Sequence, residues 1–315
     1  GSGVDLGENI LGIRSNHLRC DGDVDLSYNF YRDNDALYGN TLATVGFAGT
    51  LDMTSSIFDV YNCPEEEVTP VWVDVEEEVD VDFQYSAGDL CSITEDVWVS
   101  PDGDDYNNTG VTESSAFRTI KVALELIAPQ DDDPVTIFLT EGTFSPSNTG
   151  EIFPIFMISN VNLIGQGEEV TIIDAEETGR VITMGMCTNN TISYLTITGG
   201  FLEEDSGGGL MIAESSNFIT ISHVSILDNV AAAGGGISNM GNSTTLDNVI
   251  ISSNISLLPG IGGGGIINFT GTPTSMTDVK ISDNSALNGG GILNLLGKIN
   301  FYNVNIVNNV AQING

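Results

Sequence analysis

The sequence predicts an all-β protein: a right-handed parallel β-helix with one short capping α-helix and an acidic β segment acting as linker or cap. Three observations lead to this fold class. Similar phrases recur in the second half of the 315-residue chain, apolar residues alternate with polar ones within them, and glycine runs separate them. Alternation with a period of two is typical of a strand with one buried face. Repeats of roughly 20–50 residues indicate a solenoid, a propeller or an array.

The first recurring phrase is an alternating strand, and it occurs five times. It reads SYLTITGG, SHVSILDN, DNVIISSN, TDVKISDN and YNVNIVNN. The central apolar residues of these phrases follow one another at a nearly even spacing, and they are Leu195, Val224, Val249, Val279 and Val304. A repeat this short has no room for a second strand plus a connecting helix.

The second recurring phrase is a glycine run followed by a short apolar strand. It reads GGGLMI, GGGISN, GGGGIIN and GGGILN, and its apolar anchors keep the same period at Leu210, Ile237, Ile266 and Ile292. Two strands with glycine turns in so short a repeat fit one rung of a parallel β-helix. Each rung adds one strand layer, about 4.8 Å, to the stack.

Glycine and asparagine are predicted to be scaffold residues. Glycine reaches positive φ without steric cost and lets stacked backbones approach closely, as each corner of a rung requires. One asparagine column follows the repeat, at Asn229, Asn254, Asn284 and Asn309, and stacked amides can hydrogen-bond along it. No helix or basic residue follows the glycine runs, so a dinucleotide site is not indicated.

Residues 190–315 resemble the pectin-lyase-like superfamily. The phrases GGGISN and GGGILN, with Asn-x-Ala before them, resemble repeats of the chlamydial polymorphic outer-membrane type. These repeats belong to secreted surface proteins, so the resemblance implies a secreted protein at the cell surface. Residues 97–144 are similar to the opening of secreted β-helix modules, which implies a β-helix domain over 97–315. In such modules one amphipathic helix plugs the open end of the stack, here near 115–127.

The polar loop before that helix is a candidate metal site. It groups Asp102, Asp104, Asp105 and Asn107, whose oxygens are the hard ligands that calcium prefers. A polar turn is the alternative, because Asp, Gly and Asn dominate turns, and the EF-hand spacing is absent. Calcium is therefore the one cofactor that the sequence suggests.

The first 96 residues are organised differently. Residues 1–62 resemble the terminal rungs of a preceding or neighbouring stack, and residues 63–96 form an acidic extended linker or cap. Cys63 and Cys91 bracket the acidic segment, and a disulfide between them is predicted. The alternative is four buried thiols, with Cys187 in the core.

The two ends of the chain continue the same ladder. With Gly1 placed after Gly315, Val4 follows Ile292 at the same spacing at which Ile237 follows Leu210. This fits covalent tandem repeats, separate subunits that add a strand head to tail, or a fragment whose ends match because all rungs are alike. The predicted assembly interface consists of Gly1, Gly3, Val4, Leu6, Val310, Ile313, Asn314 and Gly315.

The charge limits the partners. The chain has 44 acidic and 8 basic residues, a net charge of −36, which argues against nucleic acid, anionic membranes and polyanionic substrates as partners. No apolar run is long enough to span a membrane. Asn-x-Ser/Thr sequons leave glycans open as a modification.

These patterns predict an extracellular structural protein, a subunit or tandem module of a filament or stalk, whose partners are copies of itself. A surface adhesin that binds a host or carbohydrate ligand is the alternative. A polysaccharide lyase or glycoside hydrolase is the second alternative. Lyases of the superfamily need basic residues that do not cluster here. For a hydrolase, Asp228 and Asp283 occupy equivalent ladder positions two rungs apart, and His223 lies nearby in the sequence at a position that could point outward. No enzyme signature is matched, so we expect no catalysis.

Overall fold

The structure is a computed structural model that describes residues 93–258, 262–269 and 273–314, with short segments between residues 20 and 82. The chain divides into two compact units, Gly1–Ile93 and Thr94–Gly315. In the first unit the strands are β1 (Cys20–Asp21), β2 (Val24–Asp25), β3 (Phe30–Tyr31), β4 (Leu42–Thr44), β5 (Phe47–Asp52), β6 (Ile57–Phe58), β7 (Val71–Val73) and β8 (Val79–Asp82).

Strands are the main regular elements of the second unit. It begins with β9 (Val97–Val99), a 3-10 turn (Glu113–Ser115), α1 (Ile120–Leu126), β10 (Val135–Leu139), β11 (Gly142–Phe144), β12 (Ile155–Met157), β13 (Val161–Ile164), β14 (Thr171–Asp174), β15 (Ile182–Met184), β16 (Thr188–Thr198), β17 (Leu210–Ile212) and β18 (Asn217–Leu227). It continues with β19 (Val230–Ala231), β20 (Ile237–Asn239), β21 (Thr245–Ser252), β22 (Ile255–Ser256), β23 (Ile266–Asn268), β24 (Thr274–Thr277), β25 (Lys280–Ser282), β26 (Ser285–Asn288), β27 (Ile292–Asn294), β28 (Ile299–Tyr302), β29 (Asn305–Val307) and β30 (Val310–Asn314).

These strands form three parallel sheets that run along the stack. The long sheet has the order β28-β24-β21-β18-β16-β13-β10-β9, with β11, β14, β25 and β29 beside it. The second sheet has the order β12-β15-β17-β20-β23-β27, and the short sheet has the order β19-β22-β26-β30. The predicted fold, an all-β parallel β-helix, is confirmed, and α1 is the only α-helix in the part of the chain that the structure describes.

From β18 onward each rung contributes to three sheets, whereas the sequence phrases indicated two strands per rung. The third strand belongs to the short sheet, and its first members, β19 and β22, have two residues each. So short a strand cannot show an alternation of apolar and polar side chains. The glycine run that follows this strand in the chain makes the strand still harder to recognise in the sequence.

The predicted register of the repeats is confirmed. Leu195 pairs with Val224 and Val224 with Val249 in the long sheet. In the second sheet the four predicted anchors pair in order, from Leu210 through Ile237 and Ile266 to Ile292. Two more rungs precede these, since Ile155 pairs with Ile182 and Ile182 with Leu210. These two rungs were not recognised among the repeats because no glycine triplet precedes their strands.

The glycine triplets solve three separate steric problems, as the triplet at 234–236 shows. Gly234 has φ +56°, a left-handed conformation that side chains other than those of Asn and Asp rarely adopt. A Cβ on Gly235 would lie 2.4 Å from the backbone oxygen of Ile255 on the next rung, and a Cβ on Gly236 would lie 3.1 Å from the Asn254 side chain. The triplet therefore turns the chain and also lets neighbouring rungs close onto each other.

The capping helix is shorter than predicted. The apolar pattern predicted a helix near 115–127, but α1 covers Ile120–Leu126 and packs against β9 and β12. The Thr119 hydroxyl caps the N-terminus by accepting a hydrogen bond from the Val122 N–H at 3.2 Å. Phe117 lies before that cap, in a parallel bridge with Val99. Its ring is nevertheless buried, as the amphipathic pattern required.

Parallel pairing also occurs in the first unit, between positions about one repeat apart in the chain. The pairs are Cys20 with Phe47, Phe30 with Ile57, Leu42 with Val71 and Gly49 with Val79. β7 and β8 lie within the predicted acidic linker and pair with β4 and β5. Cys63 and Cys91 lie outside the described residues, so their disulfide stays a prediction.

Candidate functional site

The last rung, formed by β27, β28, β29 and β30, exposes side chains that are buried on every earlier rung. Ile281 of β25 has no exposed surface, while Ile306, its partner on β29, is 48 % exposed. Met276 is 1 % exposed, and Phe301, its partner on β28, is 52 % exposed. Within the described chain these strands pair on one side only, so the end of the stack is an apolar sheet edge.

Part of the predicted assembly interface lies on this rung. Val310 and Ile313 are exposed residues of β30, and Asn314 pairs with Asn288 of β26. Gly1, Gly3, Val4, Leu6 and Gly315 lie outside the described residues, so their role stays a prediction. The sequence analysis missed Phe301 and Ile306. The signal was available, since both occupy core columns whose earlier members are apolar.

The predicted asparagine ladder is present, and its first three members are buried. The side-chain oxygen of Asn254 accepts hydrogen bonds from the backbone N–H and the side-chain amide of Asn229, at 3.0 and 3.1 Å. Asn284 accepts the same pair from Asn254, at 2.9 and 3.0 Å. Asn309 accepts the pair from Asn284, at 3.0 and 2.9 Å. The ladder thus reaches the open rung with the same geometry at every step.

A second amide ladder runs along the second sheet, and the sequence analysis did not identify it. The side-chain amide of Asn239 donates to the Asn268 side-chain oxygen at 2.9 Å, and that of Asn268 donates to Asn294 at 2.8 Å. The hydroxyl of Thr274 also donates to Asn268, at 3.1 Å. The signal was the asparagine that ends each of the strand phrases ISN, IIN and ILN.

The predicted calcium loop uses its carboxylates in local hydrogen bonds. Asp104 accepts from the Asn107 side chain at 2.8 Å and from the Tyr106 N–H at 2.8 Å, and these bonds lower its pKa. Asp105 accepts from the N–H groups of Arg118 and Thr119 at 2.7 and 3.0 Å, although burial raises its pKa.

Asp102 is exposed beside them. Over the described ranges, no group of three or more His, Cys, Asp or Glu residues is arranged to hold a metal ion. Calcium binding at this loop stays a prediction.

A buried carboxylate holds the start of α1. Glu151 accepts hydrogen bonds from the N–H groups of Ile120 and Lys121, at 2.7 and 3.0 Å. Burial raises the pKa of Glu151 to about 7, against the two hydrogen bonds that favour its charged form. Glu151 lies about 30 positions after the helix start in the chain, so no local sequence pattern predicts this contact. It secures the helix that covers the first rungs.

The side faces of the stack carry exposed rings away from the open rung. The rings of Tyr194 and His223 stack with centroids 4.7 Å apart on neighbouring strands of the long sheet. Phe156, on β12, and Phe218, on β18, are also exposed. Asp228 and Asp283, considered for a hydrolase, are exposed at left-handed bends two rungs apart, in a different bend column from His223.

A family model described as "Protein of unknown function (DUF1565)" matches residues 101–185. No curated protein matches the sequence. In the described part of the chain, no helix combines the length and the apolar composition that crossing a membrane demands.

Three solved structures are similar at 14 % identity. They are a pectin methylesterase mutant in complex with hexasaccharide IV (61 % of this chain, 56 % of that chain, TM-score 0.43), pectate lyase Pel9A (63 %, 49 %, 0.46) and pectin methylesterase PemA from Erwinia chrysanthemi (61 %, 56 %, 0.40). The chain spans about half the length of each solved chain, and the likeness concerns the fold alone. The predicted pectin-lyase-like fold agrees with the parallel β-helix described above.

Proposed function

We propose that the chain is a structural β-helix module of an extracellular filament or stalk, in which the stack continues end to end into further rungs of the same kind. One observation carries the proposal: Phe301 and Ile306 present core side chains to solvent at the last rung. The next rung is supplied by another copy of this sequence, either as a separate subunit or as a tandem repeat of a longer chain. The role is non-enzymatic.

The chemistry of the edge supports this partner. An open parallel edge offers backbone groups in the spacing that another parallel strand needs. The first unit of the chain contains parallel strands of the same period, since Cys20 pairs with Phe47 at the same sequence offset at which Leu210 pairs with Ile237. A net charge of −36 opposes lateral clustering of such rods but leaves an apolar end contact little affected.

Electron microscopy of the purified native protein, prepared without chelator, tests the proposal. We expect uniform thin filaments whose axial repeat equals one stack. Denaturing electrophoresis of the same sample then separates covalent tandem repeats, which run as long chains, from free subunits of 33.3 kDa. Isolated short rods in the micrographs would contradict end-to-end assembly.

A charged substitution on the open rung tests whether filament formation depends on this surface. Ile306→Lys places an ammonium group at the centre of the open rung, where a following rung would bury it, so we expect short rods. Ile255→Lys is the matched control, because Ile255 is exposed on β22, which pairs on both sides. Filaments that survive Ile306→Lys unchanged would place the contact elsewhere.

Adhesion is a second candidate function, favoured by the exposed rings on the side faces. Phe156 and Phe218 are 65 % and 63 % exposed, and neither belongs to the last rung. Aromatic rings in such positions are typical of contacts with a protein or sugar ligand. We propose to compare binding of the wild-type protein and the Phe156→Ser, Phe218→Ser double variant to a glycan array and to cell surfaces. Equal binding by both would remove this candidate.

A further inference from the structure

We infer that the open rung selects its continuing partner by amide chemistry: it accepts a parallel rung that carries asparagine in the first ladder column, the column that ends at Asn309. The inference rests on the proposed end-to-end function and adds the identity of the partner. Apolar side chains at the edge favour burial by any apolar surface. The first amide ladder restricts the choice, because it ends on this rung in a backbone N–H whose expected acceptor belongs to the next rung.

The first ladder ends at Asn309. On the three preceding rungs the backbone N–H of the ladder asparagine donates to the side-chain oxygen of the next asparagine, at 2.9 to 3.0 Å. The N–H of Asn309 has no acceptor among the residues that the structure describes. Its side-chain amide makes two carbonyl bonds, to Ile281 at 2.8 Å and to Val307 at 3.1 Å, as the amides of Asn229 and Asn254 do with their own carbonyl partners. The missing acceptor is an amide oxygen one rung further on.

The second ladder ends at Asn294. The side-chain amides of Asn239 and Asn268 each donate to the asparagine one rung further on. That of Asn294 instead donates to the carbonyl of Gly297 in its own turn, at 2.7 Å. This is a local substitute, since Gly297 follows closely along the chain. The second column therefore does not require asparagine on the following rung, and Leu6 follows Asn294 there when Val4 follows Ile292.

A rung without asparagine in the first column would bury the backbone N–H of Asn309 unpaired. The interior members Asn229, Asn254 and Asn284 have no exposed surface, so a following rung removes water from Asn309 as well. A buried N–H without an acceptor destabilises the contact, while a hydrogen-bonded one does not. Aspartate in the partner would accept the bonds but would bury a charge beside an already acidic protein. Asparagine is the side chain that meets both conditions.

The test lengthens the full chain by one rung. A second copy of residues 290–315, placed directly after Gly315, restores the run Asn-Gly-Gly-Gly-Ile-Leu-Asn of residues 288–294. The copied isoleucine then follows Ile292 at the same spacing at which Ile292 follows Ile266, so the added rung stays in register with the second sheet.

The readout is hydrogen exchange of the Asn309 backbone N–H, measured by NMR in three lengthened chains. The first keeps the copied asparagines. The second replaces the copy of Asn309 with alanine. The third replaces only the copy of Asn300, an exposed residue outside both ladders, with alanine.

We expect the first and third chains to slow exchange of the Asn309 N–H by ~10-fold or more relative to the second chain, the effect of one buried hydrogen bond. Equal protection in the first and second chains would overturn the inference, because any rung would then suffice. This outcome is separable from the proposed function: filaments of the native protein would still form in the micrographs. Absence of filaments together with slowed exchange would refute the proposed assembly and retain the ladder preference.

Discussion

Replacing Asn254 with alanine tests the ladder where it is most enclosed. The Asn254 side chain takes part in five hydrogen bonds: it accepts two from Asn229 and donates to Ile226, Ser252 and Asn284, all at 2.9 to 3.1 Å. The residue has no exposed surface, so water cannot replace these partners. Asn254→Ala removes all five bonds and leaves the buried N–H of Asn229 without its acceptor.

The magnitude follows from what is left unpaired. An unpaired buried backbone N–H costs about 1–3 kcal/mol, and a typical intramolecular hydrogen bond contributes about 1 kcal/mol net. The side-chain amide of Asn229 keeps its bonds to the carbonyls of Ile197 and Leu227, so its loss is partial. We therefore expect the free energy of unfolding to fall by about 3 kcal/mol, which lowers Tm by about 6–12 °C for a unit the size of Thr94–Gly315.

Urea unfolding followed by far-UV circular dichroism measures this loss. Asn300→Ala is the matched control, since Asn300 is an exposed asparagine of β28 outside both ladders and should change stability by less than about 0.5 kcal/mol. A loss below about 1 kcal/mol for Asn254→Ala, or an equal loss for the two variants, would refute the view that the ladder stabilises the stack.

Three further predictions concern glycine, pH and calcium. Gly235→Ala should destabilise the stack by about 3 kcal/mol or more, because the new Cβ would lie 2.4 Å from the backbone oxygen of Ile255. Gly185→Ala is the control: a Cβ at Gly185 would have no atom within 4 Å, so this variant should be nearly neutral in the same urea assay. The folded-state pKa of Glu151 is about 7, above its ordinary 4.5, so the stability that its protonated form contributes is present below pH 4.5 and is lost as the pH rises through 7. Glu151→Gln should remove about 3 kcal/mol of this pH dependence of the free energy of unfolding, measured by urea titrations between pH 4 and 8. A pH profile that the substitution leaves unchanged would contradict this prediction. Calcium should raise Tm by screening the net charge of −36, so a Tm that chelator leaves unchanged would oppose a role for calcium.

The asparagine column shows how far sequence reasoning reaches in a solenoid. Equivalent positions recur once per rung, and parallel stacking converts equal position within the repeat into spatial contact. The ladder from Asn229 to Asn309 could therefore be predicted before any coordinates, and so could the pairing of Leu210, Ile237, Ile266 and Ile292.

The contacts that sequence reasoning missed share a different property. Glu151 meets the start of α1, far back along the chain, through a single buried side chain that belongs to no repeating column. The short sheet was missed because its first strands have two residues each. The start of α1 was misplaced because Thr119 caps it after Phe117 has already paired with Val99.

The sequence by itself determined the parallel β-helix, the register of its repeats and the chemistry of the first amide ladder. These features could be predicted because equivalent residues recur in every repeat and make the same interaction on each rung. Only the tertiary structure decided which rung lies open and which core residues it exposes. In sequence, Phe301 and Ile306 match the buried residues of their columns. Their side chains are exposed because no described strand pairs beyond them. Burial depends on neighbours in space, and at the end of a stack local sequence no longer implies them.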